Sequence, residues 1–130
     1  MNKVYPKWSE LPNLDLYLDQ VLLYVNQLDS SSIVDDDKGL TSAMINNYVK
    51  NGHLDKPIKK KYNRKQLARL IVITCLKNVF SIQEISKTIN SLTSDGSSEE
   101  MYDNFVMCMN GEKREGLADV IVAACDTVRL

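Results

Sequence analysis

The sequence predicts an all-α fold, on three observations. Apolar residues recur at three- and four-residue steps through most of the chain, Thr, Asn and Ser stand just ahead of those stretches as caps, and loop-forming Ser, Asp and Gly collect between them. The chain has 130 residues, 44% hydrophobic and 25% charged, a composition that suits one domain able to bury a core and excludes disorder. That domain is expected over residues 1–130, with a core at 11–92 and a C-terminal helical extension at 97–130.

The first expected helix is Leu14 to Leu28, where Leu14, Leu18, Val21, Leu22, Val25 and Leu28 line one face and Pro12 suits the first turn. Leu16, Tyr17, Leu23 and Tyr24 add apolar surface beside that stripe, to be covered by the segment carrying Tyr5 and Trp8. The stretch 29–39, DSSSIVDDDKG, has the composition of a loop. Its Asp35, Asp36 and Asp37 lack the alternating spacing and terminal Glu of a calcium loop, so they are expected to be solvated charge.

A short helix over 42–51 comes next. Thr41 is its N-cap, Met44, Ile45, Tyr48 and Val49 form its apolar face, and Gly52 is placed to end it. The opposite face carries Ser42, Ala43, Asn46, Asn47 and Lys50 without an acid. Such a face can be a plain polar surface. It also has what a groove-reading helix needs, because Asn can pair with the edge of adenine while Ser, Thr and Lys reach phosphates.

Asp55-Lys56-Pro57 then turns the chain, and Ile58 to Tyr62 is expected to form a brief extended segment or hairpin carrying Lys59, Lys60 and Lys61. On a strand, at most two of three successive lysines could address the same phosphate backbone. Asn63 caps a long helix from Arg64 to about Val79, with one broad buried face that includes Leu67, Leu70, Ile71 and Ile73. Ser81 and Glu84 make a capping box for the helix that follows. After a Ser, Gly and Asp linker from Thr93, two further helices are expected. Met101, Tyr102, Phe105, Val106 and Met109 line the first. Leu117, Val120, Ile121, Ala124, Cys125 and Val128 line the second, beyond an Asn110-Gly111 break.

Charge points to a partner. Lys50, Lys56, Lys59, Lys60, Lys61, Arg64, Lys65 and Arg69 face a single acid, Asp55, within twenty residues, so this segment is +7 in a chain of net charge −1. The remainder carries −8. A local excess of that size in a nearly neutral protein implies an anionic partner on one face. Catalysis has no comparable support: His53 is the one histidine, no nucleophile and base have a recognisable spacing, and there is no Gly-rich phosphate loop. No enzyme activity and no cofactor are expected. Cys75, Cys108 and Cys125 are odd in number and sit in apolar helical patterns, which predicts reduced core thiols rather than a disulfide or metal site. No apolar run reaches bilayer length, and MNKVYPKWSE lacks the apolar core of a signal peptide, so a cytoplasmic protein without membrane contact is expected.

Residues 41–85 resemble the winged helix-turn-helix of the MerR-type transcriptional regulators. INNYVKNGHL at 45–54 is similar to that family's recognition-helix end, an aromatic followed by a charged pair, Gly and Leu, with Tyr48 and Gly52 in register. Lys60 and Tyr62 fall where the family has its wing Arg and the Tyr two residues on. Leu67, Leu70 and Ile73, then FSIQEI at 80–85, match the apolar spacing and short helix that follow. Asn46 departs from the pattern, standing where that family has a phosphate-binding Arg. The run at 40–78 also resembles an uncharacterised family of small bacterial proteins catalogued as a domain of unknown function. The first resemblance implies a winged helix-turn-helix-like domain with a short basic wing at 56–65 and C-terminal helices through which a homodimer can form. It implies a transcriptional regulator that binds double-stranded DNA through Thr41, Ser42, Asn46, Asn47, Lys50, Lys59, Lys60, Lys61, Tyr62 and Arg64. The alternative is a protein-interaction adaptor that has the fold without the DNA binding, which Asn46 favours.

Overall fold

In the computed structural model the described residues are 5–28, 39–112, 116 and 118–129. They are mostly helical, with one small sheet. After a 3-10 turn at Trp8–Glu10 come β1 (Leu16–Tyr17), α1 (Leu18–Leu28), α2 (Ser42–Lys50), β2 (Lys61–Tyr62), α3 (Arg64–Leu76), α4 (Ile82–Leu92), α5 (Ser98–Met109) and α6 (Asp119–Arg129). Asp35, Asp36, Asp37 and Leu117 lie outside the described residues.

The core is built around α3. Nine of its thirteen residues are buried, Gln66 through Ala68, Leu70 through Thr74 and Leu76, so it is enclosed on nearly every side rather than along one broad face. The reason is that α1, α4, α5 and α6 all pack against it. The C-terminal helices therefore contribute to the same core: Tyr102, Val106, Cys108 and Cys125 are fully buried alongside Leu70 and Ile73. The helix also closes earlier than its apolar pattern suggests, at Leu76, where the Leu76 carbonyl accepts from both Val79 N–H and Phe80 N–H and turns the chain toward α4.

The caps form as the sequence indicates. Thr41 Oγ1 accepts from Met44 N–H at 3.2 Å, and reciprocal boxes join Asn63 with Gln66 and Ser81 with Glu84. In the second box, the bonds to Ser81 hold the Glu84 carboxyl below its ordinary value.

One expectation about the first third is corrected. The helix does not begin at Leu14, which is 66% exposed; Leu16 and Tyr17 form a strand instead, and α1 starts at Leu18. The strand exists because Leu16 pairs with Tyr62 and Tyr17 with Lys61, antiparallel, a partner that local spacing does not reveal. The segment of Tyr5 and Trp8, for its part, is pinned to α5. Trp8 N–H donates to Asp103 at 2.7 Å, Tyr5 N–H and C=O pair with the Asn110 amide, and the Tyr102 hydroxyl donates to Pro6 C=O at 2.8 Å. Trp8 meets the Tyr102 ring edge-on at 6.3 Å. Burial raises the Tyr102 hydroxyl far above its ordinary pKa, so it serves as a neutral donor.

The link from α1 to α2 is closed by one amide. Asn26 Oδ1 accepts from Leu40 N–H at 2.8 Å and its Nδ2 donates to Leu40 C=O at 2.9 Å, so a side chain mimics a strand partner. A Cβ at Gly39 would stand 3.0 Å from that Oδ1, so a larger residue there would push on the Asn26 amide. The three cysteines are not joined in disulfides, and Cys108 and Cys125 are buried.

Candidate nucleic-acid interface

The two faces of α2 separate cleanly. Ile45 and Tyr48 are buried at 0% and 7% exposure, while Thr41, Ser42, Ala43, Asn46, Asn47 and Lys50 are exposed. Asn47 Oδ1 accepts from Asn51 Nδ2 at 2.9 Å, one helical turn on, so its amide is oriented while retaining its own donor and a second lone pair. Gly52 at φ +78° lets the chain leave the helix left-handed, after which His53 N–H and Leu54 N–H both turn back onto the Tyr48 carbonyl.

The basic run folds into a tight two-residue hairpin. Ile58 and Lys61 exchange both backbone hydrogen bonds at 3.0 Å, and the turn residues Lys59 and Lys60 have φ of 52° and 68°. This is the backbone of a type I′ turn, which favours Asn-Gly because both positions are left-handed. With lysines there, each position is strained by roughly 1–3 kcal/mol. The three lysines therefore do not alternate along a strand: Lys59 and Lys60 project from the tip, and Lys61 enters β2. Its ammonium sits over the Tyr17 ring at 5.1 Å. Tyr17 and Lys61 form the outer rung of the small sheet, and the exposed Ile58 bridges to Lys61 on the other side. Leu16 and Tyr62 form the inner rung. Tyr62 is only 4% exposed, so it supports the hairpin from the core side and is not on its outer face.

The structure also divides the cations. Lys50, Lys56, Lys59, Lys60 and Lys65 are exposed, whereas the two arginines are drawn inward. Arg64 stacks on Trp8 at 5.9 Å with a buried Nε. Arg69 Nε donates to His53 C=O and Nη2 to Ser86 Oγ at 2.8 Å, which ties the end of α2 to α3 and α4. Desolvation lowers its pKa and the nearby Asp55 works against that shift.

The connector between α2 and the hairpin is held by Gln66, which sequence reasoning did not single out. At 5% exposure, its Nε2 donates to Asp55 C=O and Lys56 C=O at 2.9 and 3.0 Å while Oε1 accepts from Asn63 N–H. The Asn63-to-Gln66 spacing of a capping box was the available signal, as the i, i+4 spacing of Asn47 and Asn51 was for Asn51. Gln66→Leu is expected to strand three backbone groups and to lower the unfolding free energy by roughly 2–4 kcal/mol in urea titration. An unchanged midpoint would mean that the connector is held by something else.

Among the described residues no cluster of three His, Cys, Asp or Glu side chains could hold a metal, and no helix is long and apolar enough to cross a membrane. A family model described as a domain of unknown function, DUF1836, matches residues 6–105. The chain belongs to this family. The DUF1836 match runs from the amino-terminal segment through most of α5, so it takes in α2, the hairpin and the helix that supports them. No curated protein and no solved structure matches the chain. The MerR-type resemblance rests on its own residues.

Proposed function

We propose that this protein binds double-stranded DNA as a transcriptional regulator, with α2 as a groove-reading helix and the 58–62 hairpin as a short wing. The observation that carries the reading is the hairpin tip, where Lys59 and Lys60 both occupy left-handed backbone that Asn-Gly would adopt without strain. Local strain that a stable fold could have avoided is characteristic of functional sites, and here it presents two cations at the point of a turn. The acid-free outer face of α2 adds the amides of Asn46 and Asn47 and the charge of Lys50. Thr41 and Ser42 stand at its N-terminus, where backbone N–H groups also attract phosphate. Arg64 and Tyr62 take supporting parts in this reading, stacked on Trp8 and buried under the hairpin.

Pairing of two copies through α5 and α6 belongs to the same proposal and would present two α2 helices to successive turns of a duplex. On α6, Val120 is a large apolar side chain that is 41% exposed and has surface to give.

The test is selection of duplexes from a random pool, followed by affinity measurement on the enriched sequence. Asn47→Ala is expected to cost on the order of 1–3 kcal/mol at that site and almost nothing on random DNA, if its amide pairs with a base. No enriched sequence, or an equal loss on every duplex, would show that α2 does not read bases.

A further inference from the structure

Behind the end of α2 lies a polar hollow of about 200 Å³. Three separate segments wall it: His53 and Asp55 from the connector, Lys65 and Arg69 from α3, and Asn90 and Thr93 from the end of α4. An ordered water needs only about 10–15 Å³, so this space is far larger than one structural water requires. Its charge is two cations against one carboxylate.

Arg69 is the informative residue. A guanidinium carries five N–H donors and does not give up its charge in a protein. Two of the five are used, on His53 C=O and Ser86 Oγ; no Arg69 nitrogen is both buried and without a partner, so the remaining donors face water at the open side of the hollow. Asp55 is near enough to influence it but forms no ion pair with it. A half-buried arginine in a hollow with Lys65 and the Asn90 amide therefore has donor capacity that the fold itself does not satisfy. Planar forks of this kind are suited to oxyanions, with which they form charge-assisted hydrogen bonds.

We propose that the hollow between the α2–hairpin connector, α3 and α4 is a binding site for a small oxyanion, a phosphate group held by Arg69, Lys65 and Asn90. Asp55, exposed at the rim, offsets one of the two cations. A bound phosphate bridges α3 and α4 beside the His53 carbonyl that Arg69 already holds. The phosphate can belong to a free small molecule or to a DNA backbone. The site stands on its own residues and not on the DNA reading.

The test titrates inorganic phosphate into the ¹⁵N-labelled full chain at constant ionic strength, with chloride as the control, and follows the backbone amides. Saturable shifts at His53, Asp55, Lys65 and Asn90 are expected with phosphate alone. Lys65→Gln removes a charge-assisted contact and should weaken binding about tenfold. Asp55→Asn should tighten it several-fold, a gain that a damaged fold does not produce. Shifts that fail to saturate, that chloride reproduces, or that neither substitution alters would overturn the site. Repeating the titration with a duplex present separates the sources. A site for backbone phosphate is closed to the free ion by the duplex, whereas a site for a small molecule still fills. A chain that binds no duplex but still takes phosphate would keep this site and lose only the DNA reading.

Discussion

Leu70→Ala is expected to lower the unfolding free energy by roughly 2–5 kcal/mol, the range for truncating a fully buried leucine. Leu70 has 0% exposure on the helix that α1, α4, α5 and α6 all cover, so the cavity opens in a close-packed core whose surroundings have little freedom to collapse into it. Against a total stability of about 5–15 kcal/mol for a domain of this kind, such a loss is a large fraction. Leu23→Ala is the matched control. Leu23 lies on α1 at 63% exposure and should change stability by less than about 0.5 kcal/mol. Thermal or urea unfolding of the two variants decides the assignment of faces. Equal midpoints for Leu70→Ala and the parent would mean that α3 is not the centre of the core.

The parts of the fold legible in the sequence are those decided within a few residues. Thr41, Asn63 and Ser81 each mark a helix start because a cap bonds to a backbone N–H three residues on, and Gly52 marks an end because only the local φ matters. The stripe Met101, Tyr102, Phe105, Val106 and Met109 is likewise read correctly as one buried face. What was hidden depends on partners distant in the chain. Leu14 and Leu18 continue the helical spacing of α1, yet Leu16 and Tyr17 pair with Lys61 and Tyr62, and a two-residue strand leaves no periodic trace of its own. The same limit applies to the candidate site. Eight cations look alike in a sequence, but Arg64 is turned onto Trp8 and Arg69 is committed to His53 and Ser86. Lys59 and Lys60 gave no sign of a type I′ turn because that turn normally shows itself through Asn and Gly.

The second large effect concerns those lysines. Replacing Lys59, Lys60 and Lys61 with Ala removes three positive charges and keeps a Cβ at each left-handed position, so the turn strain stays similar while the ammonium groups are lost. Stability should change little, apart from the loss of the Lys61–Tyr17 contact, worth about 0.5–1 kcal/mol at a surface site. Duplex affinity should fall for every sequence alike, since lysines in a turn neutralise phosphates and carry no base information.

The most direct measurement is the binding of a fluorescent duplex followed by anisotropy from low to physiological salt, for the parent chain and the triple-lysine variant side by side. The parent is expected to bind at low salt and to lose affinity steeply as salt rises. The variant is expected to bind more weakly, with a salt slope flatter by roughly one unit for each phosphate contact removed. No retained duplex at tens of micromolar parent protein in low salt, or identical slopes for the two proteins, would contradict the DNA reading and leave the adaptor reading in its place.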